Sequence, residues 1–480
     1  MNEVKEKCGV FGVYGHGLDV SRLAFYGLFA LQHRGQESSG IAAADGEIIR
    51  CYKNNGLVTH VYSEEHIREL SGHLAIGHNR YSTSAGSGLL HAQPVIVGEH
   101  FLALAHNGNL PSVAALQSFL AARNIITAGR NDSELMADAI YWYMQQGDSL
   151  PAATEKAFPL FTGAFCLLVM TKDTLVAVRD ECGIRPFSLG KLPVAGGEGY
   201  VFASETCAFR TLGAEFVRDI NPGEMVVLDN AGLRSVQIVP PRPKLDIFEF
   251  VYFARPDSHL NGQSVYEVRH RCGERLAEEY RPEVDLIVPV PETAIPVAAG
   301  YARAAGVPFE MALVKNRYIH RTFIQPDQRS RDLGVKLKLT PLPEVLKGKR
   351  VILIDDSIVR GTTSRQIVKM LFEAGAVEVH FLVSSPPVRF PDFYGIDTPR
   401  QQDLIASHMK VREIQDYLGA TSLYYLSLAG LLAATGLPAE TLNTSCFTGQ
   451  YPLDLKERTK EFVAEPAGAA TTMSQPALSI

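Results

Sequence analysis

No two cysteines in this chain form a CxxC pair, and the seven present (Cys8, Cys51, Cys166, Cys182, Cys207, Cys272 and Cys446) are scattered and odd in number. This spacing signals neither a zinc site nor a disulfide framework, and it fits a reducing compartment. Positive charge is not in surplus: 46 Lys and Arg against 52 Asp and Glu leave a formal net charge of −6, which provides no electrostatic footprint for nucleic acid. The longest apolar run, residues 423–437, is about 15 residues against the roughly 20 that span a bilayer, and it reads as a buried helix. Residues 1–7 lack the apolar stretch of a secretory signal and are too short and too acidic for a transit peptide. Internal repeats and heptads are absent as well. The expectation is a soluble cytoplasmic enzyme with no membrane or nucleic-acid partner.

At 480 residues the chain exceeds the size at which one core keeps growing, so two domains are expected. Residues 8–239 are dominated by short apolar strands, among them CGVFGV, SSGIAAA, HLAIGH, HFLALAH, AFCLLVM and MVVLD. Helical patterning interrupts them at residues 20–32, 113–123 and 133–146, the last opening on Asn131-Asp132-Ser133 as an N-cap. The proline-rich VPPRP of residues 239–243 cannot join a central strand and marks a boundary. Beyond it, in residues 240–463, the near-continuous apolar strands DLIVPV, RVILID and VEVHFLV alternate with helical segments at 265–280, 293–305 and 363–374. A parallel sheet covered on both faces requires that order. Residues 464–480 are small, polar and without period, which predicts a disordered tail.

One motif sits where a parallel sheet binds ligands, at the carboxyl end of a strand. After the strand RVILID, Asp355 and Asp356 suit sugar hydroxyls or a Mg²⁺ that keeps its waters, and Arg360-Gly361-Thr362-Thr363 supplies hydroxyls, N–H groups and a helix N-terminus for a phosphate. The bland alternative is a solvated turn with a helix cap. The whole string resembles the 5-phosphoribosyl-1-pyrophosphate (PRPP) signature of type I phosphoribosyltransferases. That resemblance implies PRPP contacts from Asp355, Asp356, Ser357, Arg360, Gly361, Thr362 and Thr363. It also implies a basic lid over pyrophosphate, for which residues 315–323, beginning at Lys315, together with Lys336 and Lys338 are suited. Mg²⁺ would lie against Asp355 and Asp356, and Thr293, in a Pro-Glu-Thr where the family commonly has Pro-Asp-Ser, would give the metal shell a hydroxyl.

The first half holds a second constellation. Cys8 alone reads as a packing residue, but it is accompanied by LQHRGQESSG at 31–40, GHNRYST at 77–83, HNGN at 106–109 and NDSE at 131–134. An Arg can clamp an α-carboxylate, an Asp can hold an α-ammonium, and an Asn beside a Gly N–H can form an oxyanion hole, which together are what glutamine hydrolysis needs. These clusters resemble the N-terminal-nucleophile glutaminase domain of class II glutamine amidotransferases, a four-layer αββα fold. The resemblance implies Cys8 as nucleophile, Asn107 and Gly108 as oxyanion hole, and Arg80 and Asp132 as glutamine-binding groups. Because the base in that chemistry is the nucleophile's own α-amine, residues 1–7 are expected to be a propeptide removed before activity. The two halves together imply a transferase that releases ammonia from glutamine and passes it through an enclosed apolar passage to PRPP. The products would be glutamate, pyrophosphate and 5-phosphoribosylamine, in the first step of de novo purine synthesis. The resemblance further implies feedback by purine nucleotides and a homotetramer.

Some relatives with a propeptide also carry a [4Fe–4S] centre held by four cysteines. Here the matching positions read Asp246, Asp392, Asn443 and Cys446, so no iron–sulfur cluster is expected. Two rival readings remain at the level of sequence. Ammonia could go to another acceptor, against which the DDSIVRGTTS string argues, or the chain could bind PRPP and regulate a partner without turnover.

Overall fold

Along the strand Gly9–Tyr14, Val10 and Tyr14 face one side and Phe11 and Val13 the other, and both sides are buried. Such a strand must lie in a sheet covered on both faces. The computed structural model describes residues 8–81, 89–194, 197–316, 337–395 and 400–461. The expected propeptide 1–7, Lys336 with most of the basic stretch, and the tail 464–480 lie outside the described residues.

Gly9–Tyr14 is the central strand of a seven-stranded sheet. Its order is Glu215–Asp219, Ser188–Val194, Gly197–Ala203, Gly9–Tyr14, Leu74–Arg80, Ser38–Ala44, Ile49–Asn55. A six-stranded sheet runs Gly232–Gln237, Glu224–Asp229, Leu175–Arg179, Thr162–Met170, Leu102–Ser112, Val95–Val97. The sheets stack through small and branched residues, Val10, Ala42 and Ile76 against Ala105, Leu168, Ala177 and Val226. The helix Val20–Ala30 covers the outer face of the first sheet, and the helices Asp132–Gln145 and Leu150–Ala157 cover the second. The four layers αββα follow. Asn131 caps Asp132–Gln145 in a reciprocal box with Glu134, which fixes Asp132 in the first turn.

The second half is built on a four-stranded parallel sheet in the order Leu286–Pro289, Arg350–Asp355, Glu378–Val383, Ser422–Tyr425. Its residues alternate between two cores. Ile287, Ile352, Ile354 and Leu382 pack on the helices Val265–Glu279 and Ile295–Ala305, whereas Val351, Leu353 and Phe381 pack on Thr362–Glu373. The expected helix over 423–437 is a strand followed by a helix. Ser422–Tyr425, with two tyrosines that favour extended backbone, forms the edge strand, and Ser427 accepts from Gly430 N to cap the helix Leu428–Thr435. After the proline-rich segment, Leu245–Asp246 pairs in parallel with Leu442–Asn443, which brings two distant parts of the second half together beside the first.

Candidate active sites

Cys8 lies just before the central strand of the first sheet. Gly9 pairs with Asn79 in the neighbouring antiparallel strand, which sets Cys8 against Arg80 at the sheet edge. The thiol is half-buried, and among the described residues its one hydrogen-bond contact is the Tyr81 carbonyl, with Sγ to O at 3.8 Å. Burial pushes this thiol up, with the charges of Arg80 and Arg34 working against it and that of Asp132 adding to it. Arg80 and Asp132 thus both lie close enough for their charges to act on the sulfur. Arg80 is buried, and its Nη1 lies 3.6 Å from Glu37 Oε1. Among the described residues neither of those atoms has a hydrogen-bond partner, although both are buried.

Asn107 and Gly108 come from the second sheet, in the strand Leu102–Ser112. Asn107 Nδ2 donates to Ser204 Oγ at 3.2 Å, and the same hydroxyl accepts from Val10 N at 2.9 Å, so one serine ties this strand to the one after Cys8. Gly108 admits no side chain: a Cβ there would lie 2.0 Å from the Ala164 carbonyl oxygen. Asp132 accepts from Leu110 N at 3.3 Å and from Ser133 N at 2.8 Å, and its Oδ2 lies 3.7 Å from His106 Nδ1. Burial pushes His78 down to about 3, so it is neutral and donates from Nε2 to the His106 carbonyl at 3.0 Å. The sequence-predicted glutamine-site residues therefore converge; Ser204 joins them from outside the predicted clusters, and Arg34 and Glu37, within the 31–40 cluster, join without having been given a role.

Arg34 is the larger omission. Its side chain is buried, and Nε donates to the Cys8 carbonyl at 3.2 Å. Its fork binds Glu205, and Glu249 at 3.1 and 3.0 Å. Both carboxylates are fully buried. Glu205 also accepts from His33 at 2.7 Å, Arg255 N at 2.9 Å and Ser258 Oγ at 2.7 Å. Burial alone would raise this carboxyl; His33 and Arg34 instead hold it well below the ordinary range. Glu249 opens a single π turn, Glu249–Phe253, whose Phe250 carbonyl accepts from buried Arg269 at 2.8 Å. The segment joining the halves is thus read by charge from both sides.

Beside it, Arg185 is buried with Asp246 at 2.7 Å and Asp392 at 3.4 Å. Asn443 pairs with Asp246, and Cys446 is buried within the field of both carboxylates. The four positions that matched the cluster ligands therefore do gather, with the two carboxylates paired to a guanidinium and Asn443 and Cys446 beside those carboxylates. Burial, then Asp246 and Asp392, push the Cys446 thiol well above its ordinary value. Two acids in place of cysteines call for a Lys or Arg partner, and the structure supplies it as Arg185, 61 and 207 residues away along the chain, where no local pattern identifies it.

At the carboxyl edge of the parallel sheet, Asp355 ends the strand Arg350–Asp355 and Asp356 follows it, and Val290 N donates to Ile354 O at 2.8 Å, placing residues 291–293 alongside. Thr293 lies in the turn before the helix Ile295–Ala305. Ser384 N donates to Asp355 O at 2.9 Å and Ser385 Oγ to Asp356 O at 2.8 Å, so the third strand braces the main chain of the acids. Asp356 Oδ1 accepts from Ser357 Oγ at 2.7 Å. Gly361 adopts φ +74° as it caps Thr362–Glu373, a turn natural to glycine, and the first-turn N–H groups of that helix face the loop. Arg360 is drawn to Asp403 at 3.6 Å and Lys315 to Glu292 at 3.9 Å. Among the described residues no three His, Cys, Asp or Glu side chains are grouped to hold a metal by themselves. Oxygen donors from Asp355, Asp356 and Thr293 nonetheless fit Mg²⁺, which completes its shell with water and substrate oxygens.

Fold and sites define a class: a glutamine amidotransferase domain joined to a phosphoribosyltransferase domain. Residues 78–211 match the glutamine amidotransferase domain model and residues 260–389 the phosphoribosyl transferase domain model. The amidophosphoribosyltransferase of Synechococcus elongatus is 48% identical over 95% of this chain and 93% of its own, and that of Bacillus subtilis is 42% identical over 95% and 96%. The solved B. subtilis glutamine PRPP amidotransferase, complexed with ADP and GMP, superposes with a TM-score of 0.86, 42% identity, and coverage of 94% of this chain and 98% of that one. The chain belongs to the amidophosphoribosyltransferase family. It is a transferase of purine biosynthesis with a glutamine amidotransferase domain. No helix among the described residues is long and apolar enough to cross a membrane.

Proposed function

We propose that Cys8, once freed of residues 1–7, attacks the carboxamide of glutamine and that the ammonia released aminates PRPP. The observation that carries this reading is the Arg80–Glu37 pair, with Arg80 set against Cys8, whose facing buried atoms have no hydrogen-bond partner among the described residues. Buried charged groups left short of bonds await a ligand, and an α-carboxylate with its α-ammonium suits Arg80 together with Glu37 and Asp132. Because burial raises the thiol's pKa, attack needs a base at the sulfur, and a free α-amine on Cys8 would supply it. Asn107 Nδ2 and Gly108 N–H would receive the developing oxyanion. Water then hydrolyses the thioester to glutamate, and ammonia passes through an enclosed apolar passage.

At the second site Asp355 and Asp356 would hold the ribose hydroxyls, and Ser357, Arg360, Gly361, Thr362 and Thr363 the 5-phosphate. Lys315 and Lys336 would contribute to a cover over pyrophosphate. Mg²⁺ held by Asp355, Asp356 and Thr293 would neutralise the pyrophosphate as it leaves. A [4Fe–4S] cluster does not fit this chain. Its four matching positions give two hard carboxylates committed to Arg185, an amide, and a single thiol driven toward its neutral form. The protein is further proposed to be a cytoplasmic homotetramer restrained by purine nucleotides. Pyrophosphate release from PRPP with glutamine or with ammonium salt tests the reading; release with neither would end it.

A further inference from the structure

The strand bearing Asn107 and Gly108 keeps register with Thr162–Met170 through Asn109, opposite Ala164, and then slips, with Ser112 opposite Thr162 as the next pair. Its regular ladder thus fails just past the oxyanion residues, and something else must hold the backbone there. The replacement comes from the other half of the molecule. Asn109 Nδ2 donates to the Phe393 carbonyl at 2.8 Å. Gly395 presses against Gly108, because a Cβ on Gly395 would lie 2.9 Å from Gly108 C. With Ala164 O only 2.0 Å from a Cβ on Gly108, that residue is gripped between two backbones.

The clamp is itself rigid. Tyr394 N donates to Asp392 Oδ1 at 2.8 Å, and buried Arg185 donates to the Tyr394 carbonyl from Nε at 3.0 Å and Nη2 at 2.6 Å. Tyr394 Oη donates to Leu453 O at 3.1 Å. We infer that Asn109 is a positioning residue of the glutaminase site, fixing through Phe393 the aim of the Asn107 amide and the Gly108 N–H. This rests on the reading of those two as oxyanion donors. Donors aimed at a developing charge lose their effect when displaced by about 1 Å, so a side chain that touches no substrate can control turnover.

The test uses the full-length, processed protein with Asn109→Ala, the isosteric Asn109→Asp, and Asn107→Ala as reference. The probe is the γ-aldehyde analogue of glutamine. Cys8 Sγ gives its proton to the free α-amine of Cys8 and adds to the carbonyl carbon, the C=O π pair moves onto oxygen, and that oxygen occupies the hole. Both Asn109 variants are expected to lower glutamine kcat by roughly ten- to a hundredfold with KM within about threefold, and to weaken aldehyde binding by a similar factor. Alkylation of Cys8 by iodoacetamide and ammonia-dependent turnover should stay at the wild-type rate. Unchanged aldehyde affinity in both Asn109 variants, with a clear loss in Asn107→Ala, overturns the positioning role alone. Unchanged affinity in Asn107→Ala overturns the oxyanion assignment, and the inference with it. A parallel fall in ammonia-dependent turnover would show general disruption and also overturn it.

Discussion

Replacing Arg34 with methionine removes the cation that faces two fully buried carboxylates while keeping an apolar side chain of similar length. Breaking a buried ion pair by deleting one partner costs about 3–5 kcal/mol, because the remaining charge loses its compensation. Here Glu205 keeps His33, Arg255 N and Ser258, and Glu249 loses both of its Arg34 bonds but keeps Arg185 at 3.8 Å, so the whole of that range applies. At about 2–4 °C per kcal/mol for a domain of this size, melting should fall by roughly 6–20 °C near neutral pH. The sign with pH follows from Glu205. Its folded pKa is depressed in the native protein, so its contribution is present above the unfolded value of about 4.3 and lost only as pH falls through the lower folded value. Without Arg34, burial still raises the Glu205 carboxyl while one of the two cations holding it down is gone, so its folded pKa moves upward and folding of the variant takes up protons over a higher pH range than folding of the wild type. The deficit should therefore shrink between pH 7.5 and 5.5. Scanning calorimetry of both proteins at the two pH values is the assay. A loss under 2 °C, or one independent of pH, would refute the reasoning.

The remaining expectations concern the two half-sites and the metal content. Asn107→Ala should lower glutamine-dependent turnover roughly a hundredfold or more and spare the reaction with ammonia. Asp355→Asn or Asp356→Asn should abolish pyrophosphate release with either nitrogen source, and retention of ammonia-dependent turnover would remove these acids from the PRPP site. Intact mass of active protein should begin at Cys8, and full glutamine-dependent activity with residues 1–7 attached would contradict the processing step. Anaerobically purified protein should be colourless with negligible iron and labile sulfide; about four irons per chain, the content of a [4Fe–4S] cluster, would falsify the misfit argued from Asp246, Asp392 and Asn443.

The placement of candidate groups was legible where it is written contiguously. Asp355-Asp356 and the RGTT turn read directly because a strand end, an acid pair and a helix start are adjacent in sequence, and Asn131 read as a cap because its box partner Glu134 lies three residues on. The alternating strands of both sheets read for the same local reason. The partners of buried charge did not. Arg34 meets Glu249 across 215 residues and Arg185 meets Asp392 across 207, and no periodicity encodes such a pairing. Glu205, in an unremarked SET triplet, gains its role only from what folds around it. Residues 423–437 misled because an apolar run cannot by itself separate an edge strand plus capped helix from one helix; Ser427 was the available signal.

The central claim is that nitrogen made at Cys8 is used at Asp355 and Asp356. It is tested most directly by pyrophosphate release from PRPP and Mg²⁺ in wild type and Cys8→Ser, each given glutamine or ammonium salt. The account predicts one pyrophosphate per glutamate in the wild type, with Cys8→Ser inactive on glutamine and active on ammonia; glutamine-supported release from Cys8→Ser, or loss of both reactions together in a folded variant, would contradict it.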